Sequence, residues 1–151
     1  MSVTAEHRVH FFDTDQMGVV HHANYIRWFE IGRVEYLREI GITLNDLMND
    51  GFLFPIIEVK AKFSNPAKFD DILEIETTAL SLTRAKMEFD YKIRRKGDYP
   101  ILVSGCSTNV FTNMETGKIS RLPKKYFSKL EAAMKHELVT QEVIGGAYCI
   151  E

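Results

Sequence analysis

The sequence predicts an α+β domain in which an antiparallel sheet is curled around one long central helix. Three observations predict it. A single long helical pattern, of about four to five turns, occupies Asn24 to Ile40 near the start of the chain. A run of period-two segments then follows from Phe54 to Phe111. Strands and helices do not alternate, which argues against a doubly wound parallel sheet.

Composition sets the outer limits. The chain has 151 residues, 45% of them hydrophobic, enough for one domain with a real core. A charged fraction of 26% and a net charge of -2 fit neither a disordered chain nor a general nucleic-acid binder, which needs a basic excess. No apolar run reaches bilayer length, and residues 1–8 lack the apolar centre of a secretion signal. A cytoplasmic protein is expected. Cys106 and Cys149 lack metal-type spacing and are read as two free thiols.

Taking the elements in order, His7 to Phe12 alternates aromatic and polar residues and predicts a short strand. Asp13 to Ala23 is a loop, in which Gly18 can adopt backbone angles closed to other residues. In the long helix, Ile26, Phe29, Arg33, Leu37 and Ile40 form one stripe, and Tyr25, Trp28, Ile31 and Val34 crowd the adjoining faces. Bulk on several faces implies burial from more than one side. Gly41 stops the helix. Gly32, in its middle, costs about 1 kcal/mol relative to alanine, which a closely packed backbone would explain. Thr43 to Asp50 is a second, short helix with Thr43 as its cap and Gly51 as its stop.

From Phe54 the period becomes two. Ile57, Val59, Ala61 and Phe63 share one face of a strand, and Asn65 to Lys68 is turn material. Ile72 to Leu80 is the next strand. Met87, Phe89, Tyr91 and Ile93 mark another, closed by a hairpin at Lys96-Gly97-Asp98. Ile101 to Phe111 is a strand whose Gly105 suggests a bulge or a close backbone neighbour. Pro123 opens a last helix running to about His136. One domain is expected over 1–136, with 137–151 as an extension, edge element or tail. An open sheet edge favours self-association.

The chemistry concentrates in Phe12-Asp13-Thr14-Asp15-Gln16-Met17-Gly18-Val19-Val20-His21-His22-Ala23-Asn24-Tyr25. It sets a carboxylate, Asp15, on a glycine-containing turn shortly before a helix start, where N–H groups are unpaired and positively polarised. Such a pair can attack a carbonyl and hold the charge that develops on its oxygen. Asp15 could equally cap the turn. Asp13 would order the loop, and Asn24 would cap the helix or orient the loop. His10, His21 and His22 lie beside Asp13 and Asp15, but no zinc spacing is present and no metal is expected.

This segment, continued by Trp28-Phe29-Glu30 and Arg33, resembles the 4-hydroxybenzoyl-coenzyme A thioesterase family of the hotdog fold. The likeness extends over about residues 4–136, and Phe63-Ser64-Asn65-Pro66-Ala67-Lys68-Phe69-Asp70-Asp71 agrees with it in order and spacing. The resemblance implies an acyl-CoA thioesterase. Asp15 would be its catalytic carboxylate, as nucleophile or general base. The His22 backbone N–H would polarise the carbonyl, and Gly18 would turn the loop back toward the helix. Coenzyme A would be part of the substrate, with no separate cofactor. Its phosphoryl groups need a few basic side chains, for which Arg84, Lys86 and Arg121 are the candidates. The resemblance also implies homodimers, often paired into homotetramers, with active sites at subunit interfaces. Glu30 and Glu35 are fallback acids. The competing functions are a non-catalytic acyl-CoA or acyl-carrier-protein binding module, an acyl-carrier-protein thioesterase, and an enoyl or hydroxyacyl hydratase. The last lacks a recognisable hydratase histidine.

Overall fold

The structure, a computed structural model, describes residues 1–141, with side chains through Lys135. Seven strands and three helices follow in order: β1 (Ser2–Arg8), α1 (His22–Glu39), α2 (Leu44–Asn49), β2 (Phe52–Leu53), β3 (Ile56–Phe63), β4 (Ile72–Leu82), β5 (Lys86–Arg95), β6 (Ile101–Val110), β7 (Thr112–Asn113) and α3 (Lys124–Gln141). Five of them form an antiparallel sheet in the order β1-β4-β5-β6-β3, and β2 pairs with β7.

The expectation of a sheet curled around the helix is corrected here. The sheet is open. β1 and β3 are its two edges and do not meet, and α1 packs on one face. The side-chain pattern gives the reason. Leu73, Ile75, Thr77 and Ala79 of β4 and Met87, Phe89, Tyr91 and Ile93 of β5 are buried, on the face toward the helix. The residues between them are Glu74, Glu76, Glu88, Asp90, Lys92 and Arg94, only partly buried. A sheet with one apolar face needs a single covering layer.

Helix and sheet approach closely at two glycines. A Cβ on Gly32 of α1 would collide with Thr77 Oγ1 and meet Ile75 Cγ2 at 3.0 Å. A Cβ on Gly105 of β6 would lie 2.6 Å from the Phe29 ring. Phe29 uses that space to stack on Tyr91, with centroids 4.4 Å apart. Each such buried ring contributes about 1.5–3 kcal/mol. Buried polar groups run through the same layer. Arg33, 5% exposed, donates to Tyr91 Oη at 3.2 Å, and Tyr91 Oη meets Ser107 Oγ at 2.7 Å. Burial pushes the Tyr91 hydroxyl up to about 12, against the pull of the Arg33 charge.

Several expected boundaries shift. His7 to Phe12 is not one strand: β1 ends at Arg8, and residues 11–13 form a 3-10 turn. α1 begins at His22, two residues early. In β3, a register shift between Ile56 and Glu58 leaves Ile57 62% exposed while Val59 and Ala61 stay half-buried. Thr43 caps α2 as expected, accepting from the Asp46 N–H at 3.0 Å. α3 continues to Gln141, past the expected end near 136. Cys106 is disulfide-bonded, against the reading of two free thiols, and Cys149 lies outside the described residues. No helix among the described residues is long and apolar enough to cross a membrane.

Candidate active site

The Asp15 loop is held at both ends. Its stem is a bridge between Thr14 and Val20, and its tip is a turn in which the Gly18 N–H donates to Asp15 O at 3.0 Å. Gly18 has φ +76°, a value glycine adopts without steric cost. The Asp15 side chain is half-exposed, and its Oδ1 accepts the Met17 N–H at 2.8 Å. Asp15 thus does cap its own turn, through one of its two oxygens.

Behind the turn, the loop is tied to the start of α1. Asp13 O accepts from the His21 N–H at 2.9 Å and from Asn24 Nδ2 at 2.8 Å. Asn24 therefore orients the loop, and capping falls to His21, whose Nδ1 accepts the Ala23 N–H at 3.1 Å. The His22 N–H opens the helix and has no acceptor among the described residues. It is one of the unpaired donors that every helix start leaves. The His22 ring is exposed, stacked on His21 at 4.2 Å and edge-on to Phe63 at 6.1 Å.

Residues 64–71 buttress this arrangement. Ala67 O takes the Val20 N–H, and the Ala67 N–H donates to the buried Tyr25 hydroxyl at 3.0 Å. Asp71 anchors the segment: its Oδ2 accepts the Lys68 N–H at 2.9 Å and lies 3.0 Å from Arg95 Nη2. Burial alone would raise the Asp71 carboxyl, but Arg95 and the Lys68 N–H hold it below its ordinary value.

A second cluster lies under the loop. His7, His10 and Asp13 bring one donor atom each within 4.8 Å of one another. Burial lowers the proton affinity of the His7 imidazole, and the neighbouring Asp13 partly offsets this. His7 lies outside any zinc spacing around the double histidine. The overlooked signal was the even spacing His7-x-x-His10-x-x-Asp13.

The basic candidates are elsewhere. Arg84 sits in the β4–β5 turn, where its Nε donates to Leu122 O at 3.0 Å and its carbonyl accepts the Leu122 N–H at 2.7 Å. Arg121 is exposed just before that contact, and Lys86 lies 3.7 Å from Glu88. The structure therefore gathers Arg84, Lys86 and Arg121 at one end of the sheet. Asp15 and His22 sit at the other, beside the start of β4. β4 has 11 residues, which separates the ends by about 35 Å at the usual rise. The two groups therefore lie at opposite ends of the strand. Of the fallback acids, Glu35 pairs with Arg38. Glu30 lies 4.0 Å from Arg33 and lines a cleft of about 140 Å³ with Arg33, Val34, Leu37, Leu44 and Phe54.

The family model described as the thioesterase-like superfamily matches residues 9–135, which includes the Asp15 loop, α1 and the whole of β3 to β6. This chain belongs to the thioesterase-like superfamily. Its relatives within that superfamily include the acyl-CoA thioesterase YbgC of Haemophilus influenzae, 31% identical over 85% of this chain and 91% of that protein. Among solved structures, a hypothetical protein from Thermus thermophilus superposes with a TM-score of 0.81 at 28% identity, covering 87% of this chain and 97% of that one. A 4-hydroxybenzoyl-CoA thioesterase variant, solved with 4-hydroxybenzoyl-CoA, superposes with a TM-score of 0.76 at 26% identity, over 85% and 97% of the two chains. This superfamily member is a hotdog-fold thioester hydrolase of the acyl-CoA class.

Proposed function

We propose that this hydrolase cleaves an acyl-CoA to a free carboxylic acid and coenzyme A at the junction of the Asp15 loop and the α1 N-terminus. One observation carries the reading: a half-exposed carboxylate on a pinned turn is tied, through Asp13, to a helix start whose first N–H is unpaired. The His22 N–H donates to the thioester oxygen and stabilises the oxyanion as it forms, an effect worth a few kcal/mol. Asp15 uses the oxygen not engaged by Met17. By one route that oxygen attacks the carbonyl carbon, the carbon–sulfur bond breaks, and water then opens the mixed anhydride. By the other it takes a proton from water, which attacks directly. Gly18 allows the turn that presents the carboxylate.

The distance between Asp15 and the basic cluster supports a site shared by two subunits. Among the described residues β3 is an edge strand with no partner on its outer side, running from Ile56, at the Arg84 end, to Phe63, at the Asp15 end. Joining two copies antiparallel along β3 sets each chain's Arg84 end beside its partner's Asp15 end. Arg84, Lys86 and Arg121 would then bind the phosphoryl groups of a coenzyme A attacked by the other subunit's Asp15. We place the domain at 1–136 with an extension beyond it, and the assembly as a homodimer or a homotetramer. The cytoplasmic placement rests on the substrate class alone, because a disulfide at Cys106 is uncommon in reducing compartments.

Replacing Asp15 by Asn tests the chemistry. Thiol release from an acyl-CoA panel should fall at least about 100-fold, with the circular dichroism spectrum and melting temperature unchanged. Full activity in that variant would discard the assignment. A purified wild-type protein that binds a non-hydrolysable thioester but leaves the true thioester intact would favour the binding module. Label found in the Asp15 side chain after a single turnover in oxygen-18 water would identify the nucleophilic route with water opening the anhydride at the Asp15 carbonyl, since general-base attack leaves both Asp15 oxygens unlabelled.

A further inference from the structure

We propose that His7, His10 and Asp13 form a binding site for one divalent transition cation of the zinc class. The donors come from three consecutive pieces of chain: the end of β1, the link after it, and the 3-10 turn. His7 Nε2 lies 3.8 Å and His10 Nδ1 3.6 Å from Asp13 Oδ2, and all three atoms fall within 4.8 Å. A four-coordinate zinc with ligands at about 2.0–2.1 Å holds them about 3.3–3.4 Å apart. The cluster reaches that geometry by closing slightly on an ion.

His7 Nε2 is the sharpest pointer. It is buried and has no hydrogen-bond partner among the described residues, a state that buried polar atoms seldom keep. The His7 ring is fixed against Trp28, with centroids 4.9 Å apart. Asp13 Oδ2 is oriented by the His10 N–H at 2.8 Å, a supporting bond of the kind that positions metal-binding carboxylates, and keeps a second lone pair for the ion. Two imidazoles and one carboxylate suit zinc, cobalt or nickel better than calcium or magnesium, which prefer all-oxygen sites. The His10 side chain is 52% exposed, so an ion enters from that side and completes its shell with water. Because Asp13 O also holds the His21 N–H and Asn24, the ion would clamp β1 to the loop and the start of α1. Its role is structural and does not depend on Asp15 being catalytic.

Metal-stripped full-length protein titrated with Co²⁺, followed by visible absorption, and with Zn²⁺, followed by calorimetry, provides the test. One equivalent should bind, and zinc should raise the melting temperature. His10→Ala alters an exposed side chain and should weaken binding at least about tenfold while keeping the fold. His7→Ala should weaken it further, and His22→Ala should leave it unchanged. No binding at millimolar zinc, binding that survives His10→Ala, or loss in His22→Ala, which would place the ion on the stacked His21–His22 pair, would each overturn the proposal.

Discussion

Asp71 shows how a residue away from the chemistry sets the geometry of the loop. Its carboxylate fastens residues 68–71 through the Lys68 N–H and Arg95, while its carbonyl accepts the Val9 N–H just before the 3-10 turn. Its proton affinity is depressed in the folded chain relative to the ordinary value of 3.8. The stabilisation is therefore fully present above that value and is lost as pH falls through the lower folded value. Asp71→Asn should melt at a lower temperature than the parent at pH 7, and the gap should close as the solution is acidified below about pH 3.8. A gap of constant size across that range would show that charge is not what the side chain contributes. At this scale the sequence was only partly readable. The Asp15 motif stood out because a carboxylate, a glycine and a helix start fall within eight residues. The unpaired state of His7 Nε2 and the grip of Ala67 on Val20 depend on residues far apart in sequence, and no local pattern encodes them.

Among the elements, α1 and the sheet meet at a contact that two glycines permit. Gly32→Ala adds one carbon where Thr77 Oγ1 already sits. Calorimetry should show a loss of about 1–3 kcal/mol despite the better helix propensity of alanine. Adding Thr77→Ala removes both the obstruction and a buried hydroxyl that has no partner among the described residues. The double variant should recover most of the loss, a non-additivity that unrelated sites do not show. The mid-helix glycine was visible in the sequence as a cost in search of a reason, and the reason is Thr77. The strands β4 and β5 were legible because Leu73 to Ala79 and Met87 to Ile93 alternate without a break. Three things were not. Asp13 captures the His10 N–H and turns an apparent strand into a 3-10 turn. The shift at Ile57 breaks the β3 alternation. β2 and β7, two residues each, are too short to carry any period.

For the whole molecule, the separation of Asp15 from Arg84 makes a prediction that no single-chain site makes. If each site takes its acid from one subunit and its arginine from the other, two crippled variants repair one another. Refolding Asp15→Asn together with Arg84→Ala as a mixture should form heterodimers in which one of the two sites is intact. Random pairing then restores about a quarter of the parental rate at saturating partner exchange. A mixture no more active than the sum of its parts would place the whole site within one chain. Mass measurement in solution checks the accompanying assembly as dimer or tetramer. The expectation of a curled sheet failed at this scale because sequence alternation reports which face is apolar, not whether the ends of a sheet meet.

The bare rim at β3 bears on how the chain behaves when it is alone. Ile57 and Phe63 are exposed apolar side chains on a strand whose amides and carbonyls, among the described residues, are satisfied along one side only, and such a rim is a template for an extended polypeptide. Protomers split by strong dilution should therefore aggregate on reconcentration wherever they fail to pair again along this rim. Ile57→Lys should buy solubility at the expense of pairing.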